Sequence, residues 1–167
     1  LEKNIPASVV IASSALTVTV TEQAMWLHNR ERLIGISALP TLLSQPLIEV
    51  SPSVFTNSEA VLKAKRIFLS LGKETAVVQD RIGMVAPRVL CMIINEAFFA
   101  VQEDIASAND IDLAMKLGTN YPHGPIEWAE KLSLRQIVVV LDALYNDLRE
   151  ERYRVAPILR QLSITHA

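Results

Sequence analysis

The stretch that decides the fold reads ASANDIDLAMKLG over residues 106–118, and YPHGPIEW follows it over residues 121–128. Ser107 stands three residues before an aspartate, the spacing at which a serine hydroxyl caps the first turn of a helix. The apolar residues that follow recur at helical spacing. Gly118 is typical of a helix end and Pro125 of a helix start, so we expect one helix to end and another to begin there.

Helical patterns continue on both sides of this stretch. Residues 83–103 are apolar nearly all round, so we expect that helix to be covered both by its own domain and by a second subunit. Ser133 is expected to cap a helix over residues 134–152, and residues 155–162 to form a shorter last helix. Residues 82–167 are therefore predicted to form an all-helical domain that makes a homodimer.

Residues 1–81 show a different pattern, with short β-rich apolar runs between polar and proline-containing segments. Continuous apolar runs are typical of strands that are covered on both faces. Asn57 and Gly72 bracket a helical segment between the last two strands, which predicts a right-handed crossover between parallel neighbours. The predicted elements are, in order, strand 9–12, helix 22–28, strand 33–36, strand 47–50, helix 59–71 and strand 74–79. The fold class is thus a partial α/β sheet followed by helices, mostly α overall.

Composition excludes several classes of function. The 167 residues carry a net charge of −2, so there is no basic surplus that would predict a nucleic-acid partner. The most apolar helix is interrupted by Arg88, Asn95 and Glu96, which argues against a membrane span. The first residues, from Leu1, show no basic segment of the kind that opens a secretory signal. We therefore expect a cytoplasmic protein with no nucleic-acid or membrane partner.

Few residues suit metal, thiol or phosphate chemistry. Cys91 is the only cysteine and stands among large apolar residues, which predicts a buried, inert thiol. The histidines His28, His123 and His166 have no ligand-spaced partners, so we predict no metal site. The five glycines are too far apart to form a phosphate-binding loop. The sequence therefore predicts no nucleotide cradle within these residues.

One carboxylate stands out on the sheet side of the chain. Glu49 is a charged residue within the apolar strand pattern of residues 46–50. At the end of a strand in an open α/β sheet, such a carboxylate faces the crevice where ligands bind. A position on a solvated edge strand explains the charge equally well. The residues alone favour neither interpretation.

The stretches quoted above, together with GMVAPRVL at residues 83–90, resemble the helical domain of the 3-hydroxyacyl-CoA dehydrogenase family in order and spacing. The resemblance covers nearly the whole chain. It implies that residues 1–81 are the last part of a Rossmann-like domain, and that the glycine-rich NAD loop of the family would lie upstream of Leu1. It also implies a place in fatty acid metabolism, acyl-CoA as a possible partner, and NAD as a cofactor only where a nucleotide-binding half is supplied.

The resemblance further identifies the family's site positions in this sequence. A family segment whose first serine contacts the substrate hydroxyl corresponds to residues 12–15, where that serine is Ser14 and the preceding asparagine is an alanine. The base histidine, two residues after a glycine, corresponds to Ser37, while the glutamate that orients it is kept as Glu49. The substrate-binding asparagine corresponds to Pro87, which a first helical turn tolerates.

The chemistry of the family depends on the histidine. Oxidising a 3-hydroxyl group needs a general base, and losing one costs roughly 10²–10⁴-fold in rate. Our leading hypothesis is therefore a degenerate or truncated family member that acts as a dimeric acyl-CoA-binding or interaction module without redox turnover. One alternative is a fragment or weak form of an NAD(P)-dependent 3-hydroxyacyl-CoA oxidoreductase that uses Glu49 and Ser14. A second alternative is a purely structural dimer with no ligand.

Overall fold

The computed structural model describes residues 2–165, apart from the side chain of Lys3. His166 thus lies outside the described residues. The chain forms two compact units, Leu1–Pro87 and Arg88–Ala167. Among the described residues, every helix is too short or too polar to cross a membrane.

The first unit is built on a four-stranded sheet whose strands follow one another in the order β1-β2-β3-β4. Its elements are β1 Ile11–Ser14, α1 Val20–Ala24, β2 Leu33–Ile36, α2 Pro40–Leu43, β3 Leu47–Pro52, α3 Ser58–Ser70 and β4 Glu74–Val77. Two of the strand pairs, β1 with β2 and β3 with β4, are parallel. The central pair, β2 with β3, is antiparallel. The sheet is therefore mixed, and the predicted parallel crossover through α3 is confirmed.

Most local signals of the first unit act as expected. The Asn57 side chain accepts the Ala60 N–H at 2.7 Å and begins α3, and Gly72 follows the helix with a φ of +73°. The expected helix over 22–28 is instead α1 at Val20–Ala24. Its start is set by the Thr19 hydroxyl, which accepts the Glu22 N–H at 3.2 Å. The short α2 was not predicted, because it spans only four residues and has no side-chain cap.

Both faces of the sheet are covered, as the continuous apolar runs predict. Leu33 and Ile34 are neighbours in β2 and point to opposite faces. Leu33 packs with Val20 of α1, and Ile34 packs with Ala64 of α3. Each Å² of apolar surface that is buried in this way stabilises the fold by about 25 cal/mol. This burial holds the helices on the two faces of the sheet.

The second unit is helical. Its helices are α4 Ala86–Gln102, whose first two residues belong to the first unit, α5 Ala108–Thr119, α6 Pro125–Leu132, α7 Leu134–Leu148 and α8 Pro157–Thr165. Ile94, Ile137 and Leu141 are fully buried in it. The buried Asn95 side chain donates to the Arg154 carbonyl at 2.9 Å and accepts the Ala156 N–H at 2.8 Å. This pair of bonds fixes the segment before α8 against α4.

The ends of α5 and α7 differ from the sequence predictions. Ser107 accepts the Asp110 N–H at 3.2 Å, as expected, but α5 continues past Gly118 to Thr119. Asn120 ends it in the left-handed region at a φ of 57°, which asparagine adopts more readily than most residues. The predicted helix over 134–152 ends at Leu148, and Ser133 makes no side-chain capping bond at its start. The ends of α5 and α7 were both predicted wrongly because each helix ends at a residue other than glycine that takes a positive φ, Asn120 and Arg149.

Candidate substrate site

The carboxyl ends of the parallel strands β1 and β2 carry two of the predicted site residues. Ser14 is the last residue of β1 and pairs with Ile36 of β2, and Ser37 follows directly. The Ala15 N–H donates to the Ile36 carbonyl at 3.2 Å and holds the two strand ends together. Ser14 is exposed, and its hydroxyl makes no hydrogen bond to another residue between 2 and 165. Ligands of open α/β sheets bind at this kind of edge.

Ser37, which the resemblance assigns to the position of the family's base, is bonded to the backbone of strand β3. Its side chain is 3% exposed. Its hydroxyl accepts the Glu49 N–H at 3.2 Å, and its own N–H donates to the Glu49 carbonyl at 3.2 Å. A hydroxyl held in this way accepts a backbone hydrogen bond and has no base beside it. It cannot take a proton from a substrate at neutral pH.

Glu49 lies inside the sheet and not on its edge. Strand β3 is flanked by β2 and β4, so the edge-strand interpretation of Glu49 is wrong. The residue is 5% exposed. Its carboxylate accepts the Val85 N–H at 2.9 Å and the Ala86 N–H at 2.7 Å. The first N–H groups of a helix lack intrahelical partners and favour negative charge, so Glu49 stabilises the start of α4.

Pro87 is the second residue of α4 and is buried. The N–H group that proline lacks has no intrahelical partner in the first turn of a helix, so α4 loses no bond to it. The expectation that the fold tolerates proline there is confirmed. Within the first unit, the structure brings Ser37, Glu49 and Pro87 into one chain of contacts through Val85 and Ala86. Ser14 lies on the neighbouring strand end.

A second carboxylate, which the sequence did not single out, occupies the start of α1. The Asp80 side chain accepts the N–H groups of Val20 and Thr21, both at 2.7 Å. A turn from a strand into a helix binds a dinucleotide pyrophosphate through such N–H groups and through glycines. Here the connecting residues 15–19 contain no glycine, and Asp80 already takes the donors. The residues present therefore do not fit NAD at this turn.

A third carboxylate repeats the arrangement in the second unit. Asp112, which is 7% exposed, accepts the Ile126 N–H at 2.8 Å and the Glu127 N–H at 3.0 Å, at the start of α6. A sequence pattern predicts a helix cap only within about three residues of the helix start. Asp80 and Asp112 could not be predicted in this role, because each lies much farther along the chain from the helix that it caps.

Two residues that suit thiol or metal chemistry, Cys91 and His123, belong to the second unit. Cys91 is buried, as predicted, and burial raises the pKa of its thiol to about 12. His123 lies 3.7 Å from the Glu127 carboxylate and 3.0 Å from the Lys131 ammonium group. In the described part of the chain, no three His, Cys, Asp or Glu side chains are placed to hold a metal ion.

Comparison with known proteins identifies the family. The family model for the 3-hydroxyacyl-CoA dehydrogenase C-terminal domain matches residues 83–166. A probable 3-hydroxybutyryl-CoA dehydrogenase of Bacillus subtilis is 32% identical over 161 residues, which cover 96% of this chain and 56% of that protein. The 3-hydroxyadipyl-CoA dehydrogenase of Escherichia coli is 37% identical over 118 residues, covering 71% of this chain and 25% of that protein.

The fold agrees with solved structures of such enzymes. The crystal structure of (S)-3-hydroxybutyryl-CoA dehydrogenase from Ralstonia eutropha superposes with a TM-score of 0.88 at 29% identity, covering 99% of this chain and 58% of that one. The chain belongs to the 3-hydroxyacyl-CoA dehydrogenase family. The predicted fold class, a partial Rossmann-like sheet followed by helices, is confirmed. The chain spans about half the length of the Bacillus subtilis relative.

Proposed function

We propose that this chain binds a 3-oxoacyl- or 3-hydroxyacyl-CoA thioester without transferring hydride. The observation that carries the proposal is the state of Ser37. The family's base histidine is replaced by a buried hydroxyl that accepts the Glu49 N–H at 3.2 Å. The position that would take the substrate proton has no group able to do so near neutral pH.

The carboxylate next to this position does not replace the missing base. Both Glu49 oxygens accept N–H groups at the start of α4, at 2.7 and 2.9 Å. Both oxygens are therefore already engaged as hydrogen-bond acceptors at the start of this helix. The absence of a base alone lowers the rate of an oxidation by roughly 10²–10⁴-fold.

Binding is supported by Ser14 and by the relatives. The exposed Ser14 hydroxyl stands at the carboxyl edge of β1 and is free to bond a ligand oxygen. The relatives named above are a probable 3-hydroxybutyryl-CoA dehydrogenase and a 3-hydroxyadipyl-CoA dehydrogenase. A CoA thioester with a short acyl chain is therefore the ligand class to test first.

Calorimetric titration with acetoacetyl-CoA tests the proposal. We expect saturable binding to the unmodified chain, and about tenfold weaker binding to Ser14→Ala because one hydrogen bond is lost. Ser44→Ala is the matched control, since Ser44 is also exposed but lies in the turn after α2. Absence of binding to the unmodified chain would favour the structural dimer over the ligand-binding module.

We also propose that the second unit forms a homodimer. Several large apolar side chains of its helices are exposed in the single chain, among them Val89 at 52%, Val139 at 48% and Leu117 at 78%. Apolar surface of this kind marks interaction sites. Light scattering should give twice the chain mass at micromolar concentration, and a monomer would refute this part of the proposal.

A second candidate function is a fragment of an NAD-dependent 3-hydroxyacyl-CoA oxidoreductase. The coverage of 56% of the Bacillus subtilis relative favours it, since a further segment can carry the nucleotide. The two candidates predict different activities once the chain is combined with such a nucleotide-binding segment. Reduction of acetoacetyl-CoA by the combined protein would support the oxidoreductase, and binding of acetoacetyl-CoA without reduction supports the first proposal.

A further inference from the structure

The helices of the second unit enclose an apolar cavity of about 500 Å³. Its walls include Phe98 and Val101 from the last part of α4, Ala129 of α6, Leu134 of α7 and Ile158 of α8. Phe98 is 5% exposed and Ala129 is fully buried, so the cavity extends into the packed interior of this unit. Cavities of roughly 300–1,000 Å³ with mostly apolar walls bind small organic molecules.

Two polar side chains without partners lie at this cavity. Glu130 stands near the end of α6, and Ser133 stands in the turn between α6 and α7; both are exposed. The Ser133 hydroxyl does not cap α7. Neither this hydroxyl nor the Glu130 carboxylate bonds another residue between 2 and 165. The cavity therefore offers a ligand two hydrogen-bond acceptors, of which one is negatively charged.

The surroundings of Glu130 add further negative charge. A neighbouring depression shares Glu130 with the cavity and is also lined by the carboxylates of Asp110, Asp112 and Glu127. Lys116 is the one cation among the residues that line the two features, and it is paired with Glu127 at 2.5 Å. The rim of the cavity is thus net negative, which attracts cations and repels anions.

We propose that this cavity binds a small organic cation, a primary ammonium group on an apolar chain. The chain packs against Phe98 and Ala129, and the ammonium group donates hydrogen bonds to the Glu130 carboxylate and the Ser133 hydroxyl. A carboxylate or phosphate on the same chain would face the unpaired Glu130 charge, so anionic ligands do not fit the rim. The cavity belongs to the second unit and Ser14 to the first, so the proposal does not depend on acyl-CoA binding.

A series of simple probes separates the charge of the ligand from its apolar chain. Hexylammonium, hexanol and hexanoate are titrated into the isotope-labelled chain, and amide chemical shifts report both affinity and position. We expect hexylammonium to shift signals of residues 129–134 saturably. Hexanol should bind about threefold to fivefold more weakly, because an exposed ion pair contributes little, and hexanoate more weakly still. Butylammonium should bind about tenfold more weakly than hexylammonium, because two fewer CH₂ groups are buried.

Glu130→Gln removes the charge and keeps the shape of the side chain. We expect it to weaken hexylammonium binding to the level of hexanol and to leave hexanol binding unchanged. Glu96→Gln is the matched control, since Glu96 is also an exposed helical carboxylate but does not line the cavity. Ala108→Leu adds bulk to the cavity wall and should weaken the binding of all probes.

Several results would overturn the proposal. They are hexanoate binding as tight as that of hexylammonium, an equal effect of Glu130→Gln and Glu96→Gln, and shifts confined to another part of the chain. Absence of saturable hexylammonium binding would also overturn it, including where a second copy of the chain covers the cavity. The probe series on the unmodified chain decides the matter even if Ala108→Leu does not fold.

Discussion

The Glu49 carboxylate lies 2.7 Å from the backbone nitrogen of Ala86 and accepts its N–H. The second oxygen accepts the neighbouring Val85 N–H. Glu49 therefore stabilises the start of α4. A residue that the family resemblance assigns to catalysis has a structural role here that does not require the histidine.

Removal of this carboxylate should destabilise the protein. We expect Glu49→Ala to lower the free energy of unfolding by about 1–3 kcal/mol, since two partly buried N–H groups lose a charged acceptor. Glu49→Gln should cost less, because its amide oxygen still accepts one bond. Urea unfolding measures both changes. Glu96→Gln on the exposed face of α4 is the control, and an equal effect there would contradict the capping role.

The hydroxyl of Ser37 should contribute through the Glu49 N–H. Ser37→Ala leaves this buried donor without its acceptor, so we expect a loss of about 1–3 kcal/mol. Ser44→Ala, at an exposed position, should change stability by less than about 0.5 kcal/mol. Thermal unfolding of the two variants compares them. If Ser37→Ala and Ser44→Ala lower the stability equally, the hydrogen bond from the Glu49 N–H to the Ser37 hydroxyl does not stabilise the sheet.

Two glycines should respond oppositely to alanine. A Cβ at Gly124 would lie 2.2 Å from the Asp112 carboxyl group, whereas a Cβ at Gly118 meets nothing within 4 Å. Gly124→Ala displaces the carboxylate that caps α6, and we expect it to cost about 1–3 kcal/mol. Gly118 lies within α5, so Gly118→Ala should stabilise by about 0.5–1 kcal/mol. Denaturant unfolding of both variants gives the sign, and a neutral Gly124→Ala would contradict the close packing.

The Cys91 thiol predicts an alkaline limit to stability. Burial raises its pKa from 9.0 to about 12, so the unfolded chain ionises this thiol at a lower pH than the folded chain does. The contribution is present below about pH 9 and is lost as the pH rises towards 12, at about 1.4 kcal/mol per pH unit. Cys91→Ala should unfold with a weaker pH dependence in this range. Rapid reaction of the native thiol with a disulfide reagent at neutral pH would contradict its burial.

Local chemistry explains which elements could be predicted. The strand over 33–36 and the caps Asn57 and Ser107 were predicted correctly, because their signals lie within a few residues of the element that they begin. Asp80 could not be predicted to cap α1, since it accepts the Val20 N–H from 60 residues away. Glu49 was found as an unusual charge, but its partners at the start of α4 depend on tertiary structure.

The candidate site was predictable only through the family resemblance. The residues alone gave no reason to connect Ser14 with Ser37, because they lie on different strands and join only through the β1–β2 register. The antiparallel β2–β3 pair, which sets Ser37 beside Glu49, also has no local signal. Register and strand order decide these neighbours, and both depend on long-range packing.

Calorimetric titration of the chain with NADH tests the central claim most directly. Residues 15–19 contain no glycine, and the Asp80 carboxylate takes the N–H groups of Val20 and Thr21 at the start of α1. With no pyrophosphate cradle at this turn, we predict no saturable binding of NADH to the 167-residue chain. Micromolar affinity for NADH would contradict the account, because the cofactor would then bind to this chain without a glycine-rich turn before α1.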